Sequence, residues 1–146
     1  MALKLNEIQY KNISEVDKNS LYEFYSIAFP SKNEILYKNW SWIYRTSLNN
    51  SQPIIALYEN KIVGHAGLIS NKLSYGNSIF NGIWFVDFFI LPEFRNIGLG
   101  KILTKKWMEL EDFHLTFCNK KSLQVFKKFN WIENYNYYKS CKIINT

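Results

Sequence analysis

Hydrophobic residues recur at helical spacing in two segments near the start of the chain. Residues 17–29 predict a helix that ends before Pro30. Its buried face is expected to consist of Leu21, Phe24, Tyr25 and Ala28. Residues 33–48 predict a second helix, and the apolar face of this helix is expected to carry Leu36, Trp40, Ile43 and Tyr44. The short segment 4–10, which precedes both helices, predicts a first strand.

The pattern changes from helical to extended spacing after residue 53. Apolar runs at residues 54–58 and 62–70 flank a turn sequence at residues 59–61, and together they predict a hairpin. Residues 71–82 are expected to form a short ribbon with turns at Gly76-Asn77 and Asn81-Gly82.

Residues 83–90 form the most apolar run, which suits a central strand that is buried on both faces of a mixed sheet. The remaining pattern predicts a helix at 99–112, a strand at 114–118, a helix at 120–130 and a closing strand at 131–143. The face of the first of these helices toward the sheet is expected to carry Leu99, Ile102, Leu103, Trp107 and Leu110. The order of elements predicts a single α/β domain over residues 1–146.

Composition narrows the class of protein. The chain has 146 residues, of which 47% are hydrophobic and 21% charged, so global disorder is excluded. Two cysteines and two histidines show no metal-ligand spacing, so no metal is expected. The N-terminus has no apolar segment typical of a signal peptide, and no apolar run is long enough to span a membrane. We therefore expect a cytoplasmic protein that does not bind a membrane.

Positive charge is concentrated in the C-terminal part of the chain. The net charge is +6, and residues 1–90 carry eight basic against seven acidic groups, whereas residues 91–146 carry ten against five. This asymmetry indicates either an anionic ligand bound by the C-terminal part or a solvated basic face. A nucleic acid is not expected, because no known nucleic-acid-binding motif or basic recognition helix is present.

The segment FVDFFILPEFRNIGLGKILTKKW joins the central strand to a helix through a loop with two glycines, Gly98 and Gly100. Glycines let the backbone turn tightly and approach a ligand, and free N–H groups at the start of a helix bind anions. Three lysines on the helix and Arg95 in the loop add positive charge. Neither GxGxxG nor GxxxxGK[ST] is present, so the segment predicts a phosphate site of another kind.

This loop resembles the R/Q-x-x-G-x-G/A motif of the GNAT-type acyl-CoA N-acyltransferases, and the order of elements over residues 4–140 is similar to that of the family. The resemblance implies a mixed central sheet of about six to seven strands with about four helices, and acetyl-CoA or another acyl-CoA as co-substrate. It also implies a set of cofactor-binding residues, with backbone groups of Phe89, Ile90 and Leu91 pairing with pantetheine, the pyrophosphate held by Arg95, Asn96, Ile97, Gly98, Leu99, Gly100 and Lys101, and further contacts from Asn119 and Phe126.

The implied reaction is direct attack of a neutral amine on the thioester. A backbone N–H at Ile90 would stabilise the oxyanion. Asp87, the only carboxylate in the central strand, is the candidate general base, because an unpaired buried carboxylate has a raised pKa. The alternative for Asp87 is a structural role as a hydrogen-bond acceptor. Phe126 stands where the family often has a Tyr that protonates the leaving thiolate, so the general acid is not identified.

The acceptor implied by the resemblance is a primary amine of a small molecule, such as an amino sugar or a nucleotide sugar. Trp42 and His65 are candidate acceptor contacts, although His65 also fits a structural role in the core. The segment after Trp131 is shorter than the family's two closing strands, so we expect the closing sheet either to be abbreviated or to be completed by another subunit, as in a homodimer. Two other function classes stay open: a catalytically weak acyl-CoA-binding or regulatory module, and a basic nucleic-acid-binding domain.

Overall fold

The computed structural model describes residues 5–44 and 52–133, which contain five strands and four helices. The strands are β1 (Gln9–Asn12), β2 (Ile54–Tyr58), β3 (Lys61–Tyr75), β4 (Ser78–Ile90) and β5 (Phe113–Thr116). The helices are α1 (Lys18–Ala28), α2 (Asn33–Ile43), α3 (Leu99–Met108) and α4 (Lys120–Lys127). The predicted first strand therefore begins later than expected, since residues 5–7 form a 3₁₀ turn.

The strands form one sheet in the order β1-β2-β3-β4-β5. Neighbours are antiparallel from β1 to β4, and β5 runs parallel to β4, so the predicted mixed α/β fold is confirmed. The five strands of the described residues are slightly fewer than the six to seven that were predicted. Most of the predicted closing strand, residues 131–143, lies outside the described residues.

Two of the three turns predicted from local sequence are present, and one is not. Glu59 and Asn60 have φ angles of 47° and 65°, as a tight hairpin turn requires, and the predicted β2–β3 hairpin is confirmed. The turn at Gly76 is also present, but the predicted turn at Asn81-Gly82 is wrong, since both residues pair with β3 inside β4. A Cβ on Gly82 would lie 3.1 Å from the Phe113 carbonyl oxygen, so this glycine permits the close approach of β5 rather than a turn.

Helix α1 packs as its apolar spacing predicts. The Asp17 side chain caps it by accepting a hydrogen bond of 2.9 Å from the Ser20 N–H. The four residues of the predicted apolar face are all buried, namely Leu21, Phe24, Tyr25 and Ala28. In α3 the predicted face is buried at Leu99, Leu103 and Trp107, but Leu110 is 43% exposed because the helix ends at Met108.

Candidate functional site

A cleft opens where β4 and β5 separate. Pairing of these parallel strands stops at Phe85 opposite Thr116, whereas β4 continues to Ile90. The cavity between them measures about 530 Å³, and its walls come from the end of β4, the segment after β5 and one face of α4. The lining includes Val86, Asp87, Phe88, Phe89, Ile90, Arg95, Phe117, Cys118, Asn119 and Phe126.

The loop at the start of α3 has the tight turn and the open helix N-terminus that its glycines predict. Asn96 and Gly98 have φ angles of 63° and 93°, in the left-handed region that favours glycine and asparagine. The first hydrogen bond of α3 joins the Ile102 N–H to the Gly98 carbonyl at 3.2 Å. The N–H groups of residues 99–101 therefore precede the helical hydrogen bonds and face outward along the helix axis.

Gly100 allows α3 to begin close to β4. A Cβ at this position would lie 3.3 Å from Ile90 Cδ1 and 3.7 Å from Phe88 Cζ. The side chains of Ile90 and Phe88 therefore lie on the face of β4 that carries α3. Of the other predicted loop contacts, Lys101 is exposed, Ile97 is partly buried and the Leu99 side chain is buried in the core, so Leu99 can offer only its backbone.

Arg95 holds the loop against the end of β4. Its Nε donates a hydrogen bond of 2.9 Å to the Ile90 carbonyl oxygen. Its guanidinium carbon lies 5.2 Å from the centroid of the Phe89 ring. These contacts hold the side chain beside the cleft. Arg95 therefore positions the loop, whether or not it also contacts an anion.

At the end of β4, the backbone groups of Ile90, unlike those of its two neighbours, point away from β3. The Leu91 N–H donates to Val63 and its carbonyl accepts from Phe94, both at 2.9 Å, and its side chain is buried. Because backbone groups alternate along an antiparallel strand, Phe89 shares the β3 side with Leu91 and the Ile90 N–H points to the opposite side. The expected backbone contacts of Phe89 and Leu91 with pantetheine therefore do not fit this geometry, whereas the expected direction of the Ile90 N–H does.

A β-bulge interrupts β4 at Asp87 and Phe88. The register pairs His65 with Phe89 but Gly67 with Val86, so two residues of β4 lie opposite Ala66 alone. Asp87 has a φ of 47°, which is rare outside glycine and asparagine. A Cβ on Gly67 would lie 2.7 Å from the Val86 carbonyl oxygen, so the bulge requires glycine on the neighbouring strand.

The Asp87 carboxylate is paired. Its Oδ2 accepts a hydrogen bond of 2.9 Å from the Tyr44 hydroxyl, and its Oδ1 forms an ion pair with the Lys32 ammonium. A general base at this position requires an unpaired carboxylate, and both oxygens of Asp87 have partners. The contacts instead favour the alternative in which Asp87 orients its neighbours.

His65 lies in the core and supports the bulge. It has no exposed surface, and its Nδ1–H donates a hydrogen bond of 2.7 Å to the Asp87 carbonyl oxygen. Its Nε2 therefore faces the Tyr25 hydroxyl at 3.3 Å as an acceptor. Burial lowers the pKa of His65 to about 4, so the ring is neutral at pH 7. The structure thus gives His65 the structural role, and in this conformation it cannot contact an acceptor.

Burial also affects the two tyrosines that surround this histidine. It raises the pKa of Tyr25 and the pKa of Tyr44 well above the ordinary value, and the negative charge of Asp87 acts in the same direction. Both hydroxyl groups therefore keep their protons at neutral pH. Tyr44 donates to Asp87, and Tyr25 is placed to donate to His65, so the polar groups behind the bulge form one connected set.

Asn119 and Phe126 line the cleft as expected, and each also has a structural contact. The Asn119 side chain caps α4 by accepting a hydrogen bond of 3.0 Å from the Ser122 N–H. The Phe126 ring is buried and packs with centroid distances of 4.7 Å to Trp131 and 5.7 Å to Phe85. Trp42 is 82% exposed on α2 and is not part of the cleft wall.

Two residues that the sequence did not indicate as functional, Lys32 and Tyr44, contact Asp87. They precede it by 55 and 43 positions, so no local pattern connects them. Residues 5–44 and 52–133 contain no group of three or more side chains suited to hold a metal ion. Within the same ranges, no helix is long and apolar enough to cross a membrane.

Comparison with known proteins identifies the family of this site. The model of the acetyltransferase (GNAT) family matches residues 18–131. No curated protein sequence matches the chain. An acetyltransferase from Trypanosoma brucei superposes with a TM-score of 0.70 at 18% identity, over 92% of this chain and 99% of that one.

Two further solved structures share this architecture. A predicted acetyltransferase from Clostridium acetobutylicum, solved with acetyl-CoA, has a TM-score of 0.65 at 14% identity, covering 92% of this chain and 96% of that one. An aminoglycoside acetyltransferase from an uncultured soil metagenomic sample, in complex with sisomicin, has a TM-score of 0.63 at 18% identity, covering 94% and 98%. At these identities the likeness concerns the fold.

Proposed function

The chain belongs to the GNAT acetyltransferase family, and we propose that it transfers an acetyl group from acetyl-CoA to the primary amine of a small molecule. The observation that carries the proposal is the combination of two backbone features at one cleft. The loop before α3 presents N–H groups suited to a pyrophosphate, and it follows Arg95, which lines the cleft together with Ile90. The Ile90 N–H lies on the side of β4 that faces away from β3. We call the loop Arg95–Lys101 the cofactor end of the site.

The cofactor end fits a phosphate-bearing thioester. Left-handed residues turn the loop so that the N–H groups of residues 99–101 face an anion, and the helix dipole of α3 adds partial positive charge. When bound, acetyl-CoA would supply an activated acyl group and a thiolate leaving group. The neighbour from Clostridium acetobutylicum, which was solved with acetyl-CoA, is consistent with this assignment.

The chemistry of transfer would rely on the strand end beside this loop. The Ile90 N–H is the candidate donor to the oxyanion that forms on the carbonyl, because a fixed backbone donor stabilises developing charge without reorganisation. Arg95 holds the Ile90 carbonyl, which belongs to the peptide after this N–H, and so ties the end of the strand to the loop. Since both Asp87 oxygens already accept from donors, we assign removal of the amine proton to water in the open cleft.

The acceptor would bind on the other face of β4. Asp87 projects away from α3, toward Lys32 and Tyr44, and we call these three residues the acceptor end. Neighbours of this fold include an aminoglycoside acetyltransferase bound to sisomicin, which is consistent with a small amine as acceptor. Location in the cytoplasm and assembly as a homodimer stay predictions.

A spectrophotometric assay of thiol release tests the proposal. The purified protein is incubated with acetyl-CoA and a panel of amines that includes amino sugars, amino acids and polyamines. We expect thiol release that depends on one class of amine and a matching mass increase of that amine by one acetyl group. Tight binding of acetyl-CoA without amine-dependent release over the whole panel would contradict the proposed transfer.

That contrary outcome would support the second candidate, an acyl-CoA-binding module with little activity. The observation that favours this candidate is Phe126, whose ring is buried among aromatic side chains and has no proton to donate to a leaving thiolate. A thiol has an ordinary pKa of about 8.5, so a thiolate leaves readily and protonation is only a modest requirement. For this reason we favour the enzyme.

A further inference from the structure

Lys32 and Asp87 form an ion pair at the acceptor end, and we propose that Lys32 selects an acceptor amine that also carries an anionic oxygen group, either phosphate or carboxylate. The inference rests on the proposed function, because it names the class of amine that the same cleft would take. It begins from a difference between the two partners. The Lys32 side chain is 44% exposed, whereas that of Asp87 is 13% exposed.

The Lys32 ammonium is fixed in direction but remains open to a ligand. Its backbone N–H donates to the Phe29 carbonyl at 3.0 Å, and its ammonium lies 5.0 Å from the centroid of the Phe29 ring. An ammonium group has three N–H donors, and Asp87 Oδ1 accepts one of them. Because the side chain is 44% exposed, the remaining N–H donors are available to an anion without breaking the ion pair.

Asp87 is held independently of Lys32, which suits an orienting role. Its Oδ2 accepts from the Tyr44 hydroxyl at 2.9 Å, and its carbonyl oxygen accepts from His65 at 2.7 Å. The carboxylate therefore has a fixed position from which it directs the lysine. In this arrangement Lys32 is the residue that touches the acceptor, and Asp87 and Tyr44 position it.

The charges around this end favour an anionic group on the acceptor. Among the described residues, the charged side chains that line the cleft are Asp87 and Arg95, and Lys32 contacts Asp87 beside them. Lys32 offsets the charge of Asp87, and Arg95 belongs to the cofactor end, so the acceptor end carries no net negative charge. A polyamine would gain no net attraction here, whereas a phosphate or carboxylate on the acceptor could accept a charge-assisted hydrogen bond from Lys32.

Calorimetric titration of the protein saturated with CoA tests the inference without requiring turnover. Two matched pairs of acceptors serve as probes: glucosamine 6-phosphate against glucosamine, and glycine against glycinamide. We expect the anionic member of one pair to bind about tenfold to a hundredfold more tightly, as charge-assisted hydrogen bonds allow. Preference within the first pair assigns a phosphate, and preference within the second assigns a carboxylate.

Variants of Lys32 show whether this preference depends on its charge. Lys32→Met, which keeps the length of the side chain, should reduce the preference to less than about threefold. Lys32→Gln keeps an N–H donor for Asp87 and should have the same effect, so the test holds if the first variant folds poorly. Lys38→Met is the control, because Lys38 lies on α2 and pairs with Glu34, and it should leave the preference unchanged.

The outcomes separate this inference from the proposed function. Equal binding within both pairs, or a preference that survives in both Lys32 variants, would overturn the inference even if amines are acetylated. A preference that depends on Lys32 in a protein that releases no thiol would uphold the inference and contradict the transfer reaction.

Discussion

The two ends of the cleft are built from different parts of the chain. The cofactor end consists of main-chain N–H groups in one continuous segment, Arg95–Lys101, shaped by left-handed residues and a helix start. The acceptor end consists of side chains that are distant in sequence, since Lys32 and Tyr44 reach Asp87 across 55 and 43 positions. The first end depends on backbone conformation, and the second depends on tertiary packing.

If the proposed function holds, this difference would let one fold keep its co-substrate and change its acceptor. Main-chain donors persist when side chains change, provided that the glycines remain. At the acceptor end, one substitution can change which acceptor binds, because Lys32 and Tyr44 each contact Asp87 through a side chain. Perturbations should therefore affect binding of acetyl-CoA at one end and use of the amine at the other.

The largest effect is expected from Gly98→Val. Gly98 has a φ of 93°, which valine adopts only at a high cost, so the loop should lose the shape that presents its N–H groups. We expect binding of acetyl-CoA, measured by titration calorimetry, to weaken by more than about a hundredfold. Gly76→Val is the matched control, since Gly76 also has a positive φ of 58° but lies in the β3–β4 turn. Equal affinity in the Gly98 variant would remove the cofactor end from its proposed place.

The next effect is expected at the acceptor end, in Asp87→Asn. The amide keeps an acceptor oxygen but loses the charge that holds Lys32. We expect KM for the amine to rise about tenfold, with kcat falling no more than about tenfold and acetyl-CoA affinity unchanged. A fall in kcat of roughly 10²–10⁴ would instead assign removal of the amine proton to Asp87.

The elements closest to local sequence rules were predicted well. The buried face of α1, the turn at Glu59-Asn60 and the start of α3 all follow from patterns within a few residues. Local sequence rules fail at Asn81-Gly82. This dipeptide is typical of a turn, but a glycine also suits a strand whose neighbour approaches closely, as β5 does here. Only the position of Phe113 in the fold decides between them.

The candidate site divides in the same way. The spacing of Gly98 and Gly100 predicted the loop, since its geometry is encoded where it occurs. For His65 and Asp87 the sequence offered a structural and a functional role but could not choose between them, because their partners come from α1, the residue before α2 and the residue after it. Leu91 was expected to contact the cofactor, but the alternation of backbone groups is set by its register with β3.

A third prediction concerns the stability of the polar groups behind the bulge. The His65 ring has an ordinary pKa of 6.5 in the unfolded chain and about 4 in the core. The unfolded state therefore binds a proton first as the pH falls, and the free energy of unfolding should decrease between pH 6.5 and 4, by about 3 kcal/mol in total. Above pH 6.5 this contribution is constant.

Denaturant unfolding at several pH values measures this dependence. In His65→Asn the amide N–H can still donate toward the Asp87 carbonyl, but no titrating group remains at this position. The decrease between pH 6.5 and 4 should be smaller in this variant than in the parent by about the same amount. Equal pH dependence of the two proteins would show that His65 does not titrate as its burial requires.

The smallest effect is expected from Phe126→Tyr. The added hydroxyl increases the volume little, and one side of the ring lines the cleft. We expect the variant to fold, to bind acetyl-CoA and to turn over at least as fast as the parent. The increase should be no more than about threefold, because a donor near the leaving thiolate helps only modestly. A complex in which Phe126 lies more than about 8 Å from the thioester sulfur, beyond hydrogen-bond reach, would refute the premise.

The most direct test of the two-ended site is a crystal structure of the protein with acetyl-CoA. We expect pyrophosphate oxygens within hydrogen-bond distance, about 3 Å, of the N–H groups of residues 99–101. We also expect the thioester carbonyl to face the Ile90 N–H, with the acetyl group directed toward Asp87 and Lys32. A pyrophosphate bound away from the loop Arg95–Lys101, or an acetyl group on the far side of the cleft from Ile90, would contradict the two-ended site.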